Sequence, residues 1–196
     1  MVEQIYIIRH GLTESNKKKI YAGWSDESVC NEGISNLLEI GNKLKKFKIE
    51  KIFSSPIQRA IQTAGIINSS LDISTEIEKS LKEMKMGPWE GLSEEEVAKK
   101  YPREWKIWNS KPFELKLDGR ETLKDLQLRT LRAIKKISNN SNFSRILAVT
   151  HVALIRALII FYNNLSLDEY RKIDVPNGAV YLLDYNTPEK KVMRVL

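Results

Sequence analysis

The sequence predicts a three-layer α/β/α sandwich with a mostly parallel central sheet and a small helical cap. Three observations carry this expectation. Two short, β-branched-rich apolar runs, Ile5-Tyr6-Ile7-Ile8 and Ile146-Leu147-Ala148-Val149, stop abruptly on polar residues, as strands buried on both faces do. Such runs alternate with stretches of helical periodicity, the order of a βαβ chain. Residues 84–121 break that order, carrying Trp89, Tyr101, Trp105, Trp108 and Phe113 without a strand pattern. They are expected to fold over the sheet's edge as an insertion, so that residues 1–196 form a single domain with a cap.

Residues 2–8 read as a strand. Residues 31–46 read as a helix with Ile34, Leu37, Leu38, Gly41 and Leu44 on one face. Lys51–Ser54 is a short strand, and Pro56 then opens a helix running to about Ile67, since proline suits a first turn. Asp72–Thr75 forms another strand. Over 93–109, Ser93 with Glu96 makes a capping box that starts a helix, and Pro102 divides it. Thr122 with Asp125 starts a long helix to about Ile137. Ser144–Thr150 is a strand and Ala153–Tyr162 a helix. Strands Ala179–Tyr185 and Lys191–Val195 are joined by the turn signal Asn186-Thr187-Pro188.

Composition narrows the function classes. The formal charge is +7, but the lysines of 17–19, 43–51 and 99–100 are spread out and interleaved with Glu, as on solvated helix faces. No nucleic-acid-binding signature accompanies them, so no nucleic-acid partner is expected. A positive field does speed the arrival of small phosphorylated anions. No apolar run approaches the roughly 20 residues of a membrane span, so no membrane partner is expected. Glu3 and Gln4 lead directly into a strand-length run, unlike a signal peptide. The single cysteine, Cys30, excludes an internal disulfide framework and a cysteine-rich zinc site, and a reducing cytoplasm is the expected location. Neither a metal nor a cofactor is expected. A homodimer is compatible with the sequence, which leaves the oligomeric state open.

The chain has two histidines, and each ends a predicted strand. Ligands of open α/β sheets bind outside the carboxyl ends of the strands, so His10 and His151 are expected to face one pocket. Arg9-His10-Gly11 offers an imidazole nucleophile, a guanidinium for phosphate oxygens and a glycine for close backbone approach. The plain alternative is a histidine satisfied in the core. Arg59 falls in the first turn of the helix after Pro56, where its fork and the helix dipole together favour an anion. Its alternative is a surface arginine beside an ordinary helix start. Glu83 lies among Met and Trp, surroundings that raise a carboxyl pKa and suit a proton donor to a leaving alcohol. Glu90 is its rival and reads as structural. Arg156, five residues past His151, is expected to point away and pair with an acidic neighbour.

Together these four segments, in order across residues 5–156, resemble the histidine phosphatase superfamily, the phosphoglycerate-mutase-like proteins. The stretch Glu83-Met84-Lys85-Met86-Gly87-Pro88-Trp89-Glu90-Gly91 is similar to the α-ribazole phosphatase and broad-specificity phosphatase branch. The resemblance implies that His10 becomes phosphorylated, that Arg9, Arg59 and His151 bind the phosphoryl group, and that Glu83 donates a proton. It implies further that Asn16 and the Gly23-Trp24 loop line the phosphate or substrate. Asp118–Asp125 resembles the family's Gly-Gly-Glu-Ser stretch at a helix start. The chain departs from the pattern at Leu12, at Cys30 in place of a capping Thr or Ser, at Arg120 and at Val152. These departures bear on pocket shape, not on reaction class. Val152 is costly only if its position needs positive φ.

Three readings follow. The first is a metal-independent phosphomonoesterase that works through phosphohistidine on a small phosphorylated metabolite. The second is a phosphoglycerate mutase, which needs a closed, polar site to exclude water, whereas the lid here is short and aromatic. The third is an inactive phospholigand-binding protein, whose mark would be loss of a histidine or of Glu83.

Overall fold

The computed structural model describes residues 2–139 and 142–196. The strands are β1 (Gln4–Arg9), β2 (Lys51–Ser54), β3 (Thr75–Ile77), β4 (Arg145–Thr150), β5 (Val180–Asp184) and β6 (Val192–Arg194). The helices are α1 (Glu14–Lys17), α2 (Asn31–Leu44), α3 (Gln58–Leu71), α4 (Glu94–Lys100), α5 (Pro102–Ser110), α6 (Leu123–Asn139) and α7 (Val152–Tyr162). One sheet runs β3-β2-β4-β1-β5-β6. The β3–β2, β2–β4 and β4–β1 pairs are parallel, while β1–β5 and β5–β6 are antiparallel, so the sheet is mostly parallel, as expected.

Alternation along the strands builds the three layers. Ile5 and Ile7 of β1, with Ile146 and Ala148 of β4, face a core completed by α6, α7, Trp89 and Trp108. Tyr6 and Ile8, with Leu147 and Val149, face the opposite core formed by α2 and α3. Both middle strands are thereby buried on each side, which is why they read as continuous apolar runs.

Several boundaries differ from the sequence reading, each for a local reason. Leu38 is exposed, and Ile40 takes its place on the buried face of α2 with Leu37, Gly41 and Leu44. The helix after Pro56 begins only at Gln58, with Ile57 in extended backbone before it. Asp72 belongs to the helix end, not to a strand: it turns left-handed at φ 52° and its N–H bonds to Asn68 O, which delays β3 to Thr75. Ser93 and Glu96 close their capping box, and the chain breaks between α4 and α5 at Tyr101-Pro102. Cys30 heads α2 without a side-chain hydrogen bond, as its thiol suggested. Val152 opens α7 and is not among the positive-φ residues, so its branched side chain carries no backbone penalty.

Aromatic packing organises residues 84–121. Trp89 is fully buried and meets Trp105 and Trp108 edge-on at 6.3 and 6.1 Å. The Arg120 guanidinium lies over Trp108 at 4.2 Å and Trp89 at 4.9 Å. Burial without a carboxylate bond lowers its pKa to about 10.

Candidate active site

Parallel pairing brings three strand ends level. Arg9 is in register with Thr150, and Ser54 with Val149, so His10, His151 and Ser55 emerge side by side. The antiparallel strand β5 starts at this same edge, and Gly178 N–H bonds to Arg9 O at 3.1 Å. The cleft here holds about 510 Å3. Arg9, His10, Asn16 and Glu83 are in its wall. A larger groove of about 1070 Å3, beside Phe113, Phe161 and Leu165, contains neither histidine.

His10 is the floor of the cleft and is almost fully buried. Its Nδ1 lies 2.8 Å from Gly11 O, and a carbonyl only accepts, so Nδ1 carries the proton. Nε2 is left with the lone pair, toward which Arg59 Nε donates at 3.2 Å. Burial holds the His10 pKa well below the usual histidine value, and Arg59 and Arg9 push it the same way. The imidazole is therefore neutral at physiological pH. Gly11 is required for packing rather than for reaching a ligand: a Cβ there would stand 2.6 Å from Leu37 Cδ1.

Arg59 is the second residue of α3 and is also buried. Its Nη2 donates to Ala22 O and Gly23 O at 2.9 Å each, and Nη1 to Ser25 O at 3.1 Å. One side chain thus fixes both the Nε2 edge of His10 and the 22–25 loop. Arg9 donates from Nη1 to Val175 O at 2.6 Å, while its Nε is buried without a partner. Burial lowers the Arg9 pKa to about 10, partly offset by Glu83.

His151 precedes α7, its ring centroid 5.2 Å from that of His10. Its Nε2 is 2.7 Å from Ser55 Oγ, and Nδ1 is buried without a partner. Burial first, then Arg59, holds its pKa well below the ordinary value. Glu83 accepts the Met84 N–H at Oε1, 2.6 Å away. Its pKa is raised because burial outweighs that bond and the pull of Arg59 and Arg9. A carboxyl whose pKa is raised therefore shares the cleft with an unprotonated imidazole.

The remaining expected residues separate. Asn16 lines the cleft and accepts at Oδ1 from Asn177 Nδ2, 2.8 Å away. Gly23 and Trp24 lie beside the cleft, with Ala22 in its wall instead. Gly23 N–H is held by Glu90 Oε1 at 2.9 Å, and a Cβ at Gly23 would come within 2.7 Å of Met84 O. Trp24 Nε1 donates to Glu83 O at 2.9 Å, steadying the backbone that carries the carboxyl. Glu90 also accepts Ser25 N–H, a structural role.

Arg156 contradicts its expectation. It lines the cleft, donates from Nε to Ile173 O at 2.8 Å and stacks on Tyr170 at 5.3 Å. Helix α7 is buried nearly all round and offers no outer polar face. Sequence reasoning also missed Asn177, whose Nδ2 reaches His10 O at 3.1 Å and Gly11 O at 3.3 Å. The turn-like Pro176-Asn177-Gly178 before β5 was the available signal. Tyr21, Glu94, Tyr170 and Asp174 also line the wall and gave none, beside Trp108 of the aromatic insertion.

Among the described residues no group of three His, Cys, Asp or Glu is placed to hold a metal ion, and no helix is long and apolar enough to cross a membrane. The cleft wall offers an unprotonated imidazole, a guanidinium and a carboxyl whose pKa is raised, with a second guanidinium and a second imidazole packed against His10. That set suits transfer of an anionic group.

Comparison with known proteins places the chain. It is 28% identical to a 2,3-bisphosphoglycerate-dependent phosphoglycerate mutase of Treponema denticola, over 93% of this chain and 88% of the mutase. It is 21% identical to phosphoserine phosphatase 1 of Hydrogenobacter thermophilus, over 98% of this chain and 91% of that protein. The crystal structure of the α-ribazole phosphatase from Shigella flexneri superposes with a TM-score of 0.84 at 21% identity, covering 98% of this chain and 95% of that one, which shows a shared fold. The sequence profile of the histidine phosphatase superfamily (branch 1) matches residues 5–195. The chain is an enzyme that belongs to this superfamily.

Proposed function

We propose that the protein is a phosphomonoester hydrolase acting on small phosphorylated metabolites through a phosphohistidine at His10, without a metal. The observation that carries this reading is the hydrogen bond from His10 Nδ1 to Gly11 O, which leaves Nε2 unprotonated at the cleft floor. In the first step the Arg59 Nε–H moves from Nε2 to a phosphoryl oxygen, Nε2 attacks phosphorus and the P–O bond to the alcohol breaks. Glu83 gives its proton to the leaving oxygen. Arg9, Arg59 and His151 hold the phosphoryl oxygens, and Asn16 keeps the loop after β1 in place. In the second step water attacks the phosphohistidine, and the Glu83 carboxylate takes the water's proton. Phosphate leaves with both groups restored.

The alcohol part sits against Tyr21, Trp108, Tyr170 and Arg156, in a cleft sized for a small metabolite. Phosphoserine and α-ribazole phosphate, after which the similar phosphatases are named, belong in the first substrate panel. The 28% identity to a phosphoglycerate mutase favours a second reading, in which the phosphoryl group returns to another hydroxyl. Steady-state assays with chelator present, across a phosphomonoester panel and with the mutase reaction run beside it, test both. Phosphate release exceeding phosphoryl exchange supports the hydrolase. Exchange without release supports the mutase.

A further inference from the structure

Ser55 follows β2 and is fully buried, with its N–H on Val149 O at 3.0 Å. Its Oγ lies 2.7 Å from His151 Nε2 and accepts the Ile57 N–H at 3.3 Å. No other partner of this hydroxyl exists among the described residues. His151 Nδ1 is buried and has none.

Hydrogen accounting separates the two neutral tautomers. If Nε2 carried the proton, it would donate to Ser55. The hydroxyl's own proton would then lack an acceptor, and Nδ1 would be a buried lone pair without a donor. If Nδ1 carries the proton, Ser55 donates to Nε2 while accepting from Ile57. One group is then left over, the Nδ1–H. Buried unpaired groups are costly, so the second arrangement holds. The leftover donor is also the useful one. Its ring lies 5.2 Å from the ring of His10, and a phosphoryl group bonded there brings acceptor oxygens, which a lone pair on Nδ1 would repel.

We infer that Ser55 is a positioning residue: by donating to Nε2 it fixes His151 as the Nδ1–H tautomer, so that the second imidazole donates to the transferring phosphoryl group. The acceptor in this inference rests on the phosphohistidine reading, whereas the tautomer does not.

The test uses the full chain labelled with 15N-histidine, whose two rings give four ring-nitrogen signals, assigned with His10→Gln. In the wild type His151 should show a protonated Nδ1 and an unprotonated Nε2. Ser55→Ala should move both His151 signals toward a tautomer mixture and lower kcat about 10- to 100-fold, less than outright loss of one preorganised donor. Ser55→Thr, which keeps the hydroxyl, should restore both readouts, and thermal melts should show all variants folded. A wild-type His151 protonated at Nε2 overturns the inference. So does a rate loss in Ser55→Ala with unmoved nitrogen signals, or moved signals with an unchanged rate. The nitrogen spectra need no turnover, so failure of the phosphohistidine reading would appear separately, as a wild type with the expected tautomer but no phosphatase activity.

Discussion

Replacing Glu83 with Gln should cost rate in proportion to how badly the leaving alcohol needs a proton. The side chain is buried, and its Oε1 accepts the Met84 N–H, a bond that an amide oxygen keeps. Shape and anchoring therefore survive while the transferable proton is lost. General acid catalysis is worth about 10²–10⁴-fold, or roughly 3–5 kcal/mol at 1.36 kcal/mol per factor of ten. From glycerol phosphate the glycerol leaves as a strongly basic alkoxide, so this substrate should lose that full factor. From a nitrophenyl ester a stable nitrophenolate leaves, so that substrate should lose far less. The pH dependence carries the same sign: because the Glu83 pKa is raised by burial, raising pH through it removes the donor. Wild-type rates on the alkyl ester should fall on the alkaline side while those on the aryl ester stay flatter. The assay is single-turnover kinetics on both substrates. Equal losses on both would refute the proton-donor role, and Glu90 would not inherit it, since its carboxylate is engaged by Gly23 and Ser25 N–H.

Arg59→Ala should lose about 10²–10³ in kcat, the usual effect of removing one preorganised donor, and should also speed proteolysis within 22–25, whose carbonyls it holds. An unchanged cleavage rate would show that the loop stands without it. Arg156→Gln should raise KM for substrates whose alcohol part is anionic and leave neutral ones within about twofold; parallel changes on both would remove it from substrate recognition. Stability should depend on pH through the two histidines. Both have folded-state pKa values well below the unfolded ~6.5, so the folded state binds fewer protons there. Their contribution is present in full above that value and is lost as pH falls below it, with a slope approaching about 1.4 kcal/mol per pH unit for each. Urea midpoints should show it, and H10Q/H151Q should flatten the slope; an identical slope in that variant would contradict the buried, neutral state of both rings.

What the sequence made legible was whatever strand burial and helix starts encode locally. β1 and β4 could be read because burial on both faces demands unbroken apolar runs, and the two histidines stand one residue past their polar ends, Arg9 and Thr150. Arg59 was legible as a first-turn residue, but its grip on the 22–25 carbonyls was not, because an aperiodic loop carries no record of its partner. Asn177 depends on β5 pairing antiparallel with β1, which brings its start to the catalytic edge. No local pattern reveals such a pairing. Arg156 was misplaced by assuming that a helix keeps one outward polar face, whereas α7 packs on nearly every side. Leu38 and Ile40 exchanged places because the apolar residues of α2 outnumber its buried positions.

Hydrolysis through phosphohistidine requires a covalent phosphate on His10 Nε2. The full chain should be mixed with an aryl phosphate in the presence of chelator, quenched in alkali, where phosphohistidine survives, and mapped by mass spectrometry. Phosphate on His10 alone, lost on acidification and absent from His10→Gln, is the expected result. Phosphate on His151 or Ser55, or turnover with no phosphorylated protein at any quench time, would rule out His10 as the phosphoryl carrier.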